Sequence, residues 1–92
     1  MRLLGRDKLS CLKGQDTEID KWLAGWMLEL MRARWGDASD LLHQFPSAKE
    51  LKEGVFLFPI RSAKHAIEVW IAFPQGIVLV NALIEYDESN GS

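Results

Sequence analysis

The sequence predicts an α+β fold in which N-terminal helices cover one face of a small, mainly antiparallel sheet. Three observations lead there. The stretch from Gly54 to Leu83 holds three apolar runs, separated by Arg61-Ser62-Ala63-Lys64 and by Pro74-Gln75-Gly76. Runs rich in Val, Ile and Phe and bounded by Gly or Pro read as strands. Upstream, Ile19, Trp22, Leu23, Trp26, Met27, Leu30 and Ala33 recur at helical spacing, with Asp20, Lys21, Glu29 and Arg32 on the opposite side.

In chain order, Arg2-Leu3-Leu4 reads as a short opening strand ended by Gly5. Asp7 is placed as the N-cap of a short helix over Lys8 to Lys13, with Gly14 as its stop. Asp16-Thr17 then caps the long helix. Its tryptophan stripe reads as core rather than ligand site, because aromatic side chains bury so much area. Asp37 opens a further helical turn through Leu41 and Leu42, which Pro46 breaks. Ser47-Ala48-Lys49-Glu50 has capping-box spacing and predicts one more turn before Gly54. The strands follow, and the tail at 88–92 is expected to fray.

The last two runs should form a hairpin, with Gln75-Gly76 as a two-residue turn. Residues two apart on a strand share a face. One face then carries His65, Ile67, Val69, Ile71 and Phe73 against Val78, Val80, Ala82 and Ile84, and is the core face. The other, more open face carries Ala66, Glu68, Trp70 and Ala72 against Leu79, Asn81 and Leu83. A slip of one residue would bury Glu68 and Asn81.

Composition narrows the class. At 92 residues the expectation is one domain over 1–92, large enough for a single core. Hydrophobic residues make up 48% and charged residues 26%, a globular rather than a disordered balance. No apolar run approaches the roughly 18 to 20 residues that span a bilayer. With no secretory h-region and a single cysteine, Cys11, the expected compartment is the cytoplasm, without membrane association. Cys11 alone can form neither an internal disulfide nor a metal cluster, so no metal or cofactor is expected. The net charge of −2 lacks the basic excess of a dedicated nucleic-acid binder. Any RNA-binding surface must be a local patch.

The ordered set of short motifs resembles the HigB-family toxins of bacterial type II toxin–antitoxin systems. Arg2-Leu3-Leu4-Gly5-Arg6-Asp7-Lys8-Leu9 resembles the family's opening. Trp22-Leu23, Trp26, Trp35, Asp40 and Phe45-Pro46-Ser47-Ala48 continue the likeness before the strands. Phe56 to Ile60, Gly76-Ile77-Val78 and Glu85-Tyr86-Asp87 extend it almost to the end. The resemblance implies a RelE-like fold and a metal-independent endoribonuclease that cuts mRNA at the ribosome, inhibiting translation and growth. It also implies a helix-turn-helix antitoxin as protein partner.

Cleaving RNA without a metal takes a base at the 2′-hydroxyl, an acid for the leaving 5′-oxygen and a cation for the charged phosphorane. Family members resemble one another in a basic and aromatic cluster like Lys-Gly-Asn-Lys-Tyr-Arg. They share an Arg on the last strand and a Gly-Thr-His-Ala lead-in to the final Glu-Tyr-Asp. Here Arg61 and Lys64 match the two basic positions, and Tyr86 and Asp87 match the closing motif. His65 stands where an aromatic is usual. By this resemblance Lys64, His65 and Tyr86 are the catalytic candidates, and Arg61 and Lys64 contact RNA phosphate. Ala66 and Asn81 occupy the positions of the two strand arginines, and the His-bearing lead-in is missing. Losing one preorganised charged donor commonly costs roughly 10²–10³ in rate.

Each candidate has a plainer reading. Arg61 and Lys64 equally suit solvated turn positions, and His65 suits a structural role at the start of an apolar strand. His43 reads as surface, Tyr86 as cover for the sheet edge and Cys11 as packing. Trp70 could stack on a base or anchor a protein. A neighbouring Glu68 repels phosphate, so Glu68, Trp70 and Asn81 are assigned to partner binding. Two further function classes therefore stand beside the nuclease. One is a non-catalytic protein-binding module using the open sheet face; the other is an RNA- or ribosome-binding module that does not cut.

Overall fold

A computed structural model describes residues 1–12, 17–60 and 65–85, with side-chain surroundings undescribed for 10–12. The elements are β1 (Arg2–Leu4), a 3₁₀ helix (Arg6–Leu12), α1 (Thr17–Arg32), α2 (Ala38–Gln44), β2 (Lys49–Lys52), β3 (Val55–Pro59), β4 (His65–Ala72) and β5 (Ile77–Glu85). The five strands form one sheet in the order β1-β5-β4-β3-β2. All neighbours are antiparallel except β1, which runs parallel to β5 with Leu3 beside Val78. The sequence-predicted α+β architecture is therefore the observed one.

The long helix buries the predicted stripe. Ile19, Leu23, Trp26 and Leu30 are buried and join Phe56, Phe58, Ile67, Val69, Ile71, Val78 and Val80 from one sheet face. An aromatic chain ties the layers together. Trp22 stacks on Trp26 at 6.0 Å, and Trp26 meets Phe58 edge-on at 5.5 Å. Phe58 meets Phe45 at 5.3 Å, and Phe45 meets Trp35 at 6.0 Å. The Trp35 indole N–H donates to Gln44 Oε1 at 3.0 Å. The tryptophans thus serve packing, as their spacing predicts. At the far end of α1 the Met1 amino group donates to Met31 O (3.2 Å) and Ala33 O (2.7 Å). A positive charge there complements the negative end of the helix dipole.

Two local expectations need correction. The segment after Gly5 is a 3₁₀ helix that starts at Arg6, so Asp7 lies inside it rather than capping it. Gly5 supplies the entry turn at φ 80° and its carbonyl accepts from Lys8 N. The other is the capping-box segment. Lys49–Lys52 is an edge strand, with Lys49 opposite Leu57 and Glu50 opposite Phe56. No apolar helical stripe supports a turn there, while an edge strand tolerates charged side chains well. By contrast Asp37 caps α2 as expected, its side chain accepting from Asp40 N at 3.1 Å. Cys11's side chain, Gly14, Asp16 and the tail at 86–92 lie outside the described residues.

The hairpin register is also different. The turn spans Phe73–Gly76, closed by Gly76 N donating to Phe73 O at 3.1 Å, with Gly76 at φ 68°. Ala72 therefore pairs with Ile77 and Ile71 with Val78. This is a shift of two from the predicted pairing, so the faces survive near the turn. Beyond Val69↔Val80 the register slips by one, to Glu68↔Ala82 and Ile67↔Leu83. Asn81 is the inserted residue of this bulge. Leu83 consequently joins the core side, where it packs on the core cluster. Ala82 and Ile84 move to the other face, opposite Glu68 and Ala66.

Candidate functional site

With every helix of the core on one side, the second sheet face is where a binding surface can form. Its central row runs Leu4, Leu79, Trp70, Val55 across four strands. Leu4, Leu79 and Trp70 are 38%, 36% and 50% exposed, whereas Val55 is buried. Lys52, Glu53, Trp70, Ala72, Ile77 and Leu79 line a shallow groove of about 490 Å³ here. The face is far more apolar than a phosphate-binding surface usually is.

The neighbouring row explains how the polar residues are held. Asn81 Nδ2 donates to Glu68 Oε2 at 3.3 Å, and both side chains are half-buried. Glu68 has Leu57 on its β3 side. The bulge matters here: it turns Asn81 toward Glu68 and leaves Ala82 directly across the ladder. Ala66 lies on the same face, but it is completely buried rather than open as its alternation predicts. Pro59 and Ile84 flank it on β3 and β5. Of the three partner-binding candidates, Trp70 is thus the most exposed, and Glu68 and Asn81 are paired with each other.

His65 opens β4, half-buried, and pairs with Glu85 on the last rung of the β4–β5 ladder. Its carbonyl accepts from Ile60 N at 2.9 Å, which ties the end of β3 to the same place. Arg61, Lys64 and Tyr86 lie outside the described residues. The geometry therefore brings together His65 and Glu85, and separately Glu68, Asn81 and Trp70. His43 is exposed near the end of α2, as expected.

A second groove lies on the helical side. Trp22, Trp26, Phe45 and Phe58 wall about 530 Å³ of space, with Lys21 and Glu29 at its rim. Trp26 is almost wholly buried, and its indole N–H has no partner among the described residues. Sequence reasoning did not single out this groove. It arises from the meeting of α1 with the Phe45 corner and the end of β3.

Among the described residues, no helix is long and apolar enough to cross a membrane. No group of three or more His, Cys, Asp or Glu is placed to hold a metal ion, again among the described residues.

The fold and this two-faced sheet define the class: a RelE-like α+β protein. The family model described as HigB_toxin, the RelE-like toxic component of a toxin–antitoxin system, matches residues 19–90. The chain belongs to that family. The match begins at Ile19, so the family-like opening at Arg2–Leu9 precedes it. No individually curated protein matches the chain. As the toxic component of such a system, it has an antitoxin as its partner class.

Proposed function

We propose that this toxin acts on RNA, as a metal-independent endoribonuclease that cleaves mRNA at the ribosome and so inhibits translation and growth. The observation that carries the reading is the His65↔Glu85 rung. Lys64 immediately precedes His65 and Tyr86 immediately follows Glu85, so all three catalytic candidates belong to chain positions within one residue of that rung. Arg61 is in the same connection between β3 and β4.

In this reading a base, His65 or Lys64, takes the proton of the RNA 2′-hydroxyl. The freed oxygen attacks phosphorus, and the bond from phosphorus to the 5′-oxygen breaks, leaving a cyclic phosphate. Tyr86 or the other member of the pair returns a proton to the 5′-oxygen, while Arg61 and Lys64 balance the charge on the phosphorane. A helix-turn-helix antitoxin is the protein that silences the activity. Ala66 and the Asn81–Glu68 pair supply no cation from the open face. The proposed activity therefore rests on the segment around the rung.

Induced expression with mapping of mRNA 5′ ends tests it. Wild type should arrest growth and create new ends, and Lys64→Ala/His65→Ala should do neither while staying folded. A soluble wild type that leaves growth and transcripts unchanged rules the nuclease out.

A specific observation favours a second reading, protein binding through the open sheet face. The exposed row of Leu4, Leu79 and Trp70 is apolar, and Glu68 in the neighbouring row is already engaged by Asn81. Trp70→Ala separates the two readings. Loss of tight protein binding with RNA cleavage intact supports a protein site there.

A further inference from the structure

We draw no further inference here: the strongest candidate, the groove that Trp22, Trp26, Phe45 and Phe58 wall between α1 and the end of β3, has rim charges of opposite sign in Lys21 and Glu29, and nothing in the structure shows what covers it.

Discussion

Asn81 and Glu68 meet across β4 and β5 because Asn81 is the one residue the bulge adds to β5. Its amide donates to Glu68 Oε2 at 3.3 Å, and every residue after it is carried to the opposite face. Leu83 reaches the core by this device, and Ile84 moves over Ala66.

Deleting Asn81 should therefore cost little more than mutating it. Asn81→Ala removes a half-buried hydrogen bond to a carboxylate, for about 1 kcal/mol. Deletion removes only the inserted residue and leaves Ala82 opposite Glu68 and Leu83 opposite Ile67, so both keep their faces and the loss should again be about 1 kcal/mol. Urea unfolding of the two variants measures the difference. A far lower midpoint for the deletion would mean that Asn81 is not the inserted residue.

The same pair bears on activity. In the nuclease reading, Glu68→Gln/Asn81→Arg removes an anion from the open face and adds a cation. Cleavage of a short RNA should rise about tenfold, a fraction of what one charged donor can contribute. An unchanged rate would separate this face from the chemistry.

Two glycines should respond in opposite directions. Gly5 sits at φ 80°, and a Cβ there would lie 2.6 Å from the Val80 carbonyl oxygen, where β1 joins the sheet. Gly5→Ala should cost about 3 kcal/mol, combining left-handed backbone strain with a backbone clash. A Cβ on Gly25, inside α1, meets nothing within 4 Å. Gly25→Ala should stabilise by about 0.5–1 kcal/mol through helix propensity. Thermal unfolding of both reads the signs directly.

Trp26 offers a further test of packing against polarity. Its buried indole N–H is unpartnered among the described residues, and such a group costs about 1–3 kcal/mol. Trp26→Phe loses volume but also removes that group, so its stability should stay within about 1 kcal/mol of wild type. Trp26→Ala should cost about 3–5 kcal/mol. A large loss in Trp26→Phe would indicate a partner for the N–H.

The sequence by itself determined the class of fold, the long helix with its buried stripe, the Asp37 cap and the three-strand meander. These depend on local periodicity and capping chemistry, which short windows of residues carry. It also carried enough ordered motif for the family resemblance. The chain could not reveal the two-residue shift of the hairpin, because a Pro-Gln-Gly turn fits a two-residue or a four-residue connection and both keep the same faces inward. Nor could it place the bulge: no local feature marks Asn81 as an inserted residue until Glu68 stands opposite it. The capping-box spacing at Ser47 suggested a helix because the pairing of Lys49 with Leu57 is not a local property. For the same reason Leu28 and Met31 looked like ordinary helix residues. Only the tertiary structure, by using up one side of α1 on the sheet, decided that they face outward.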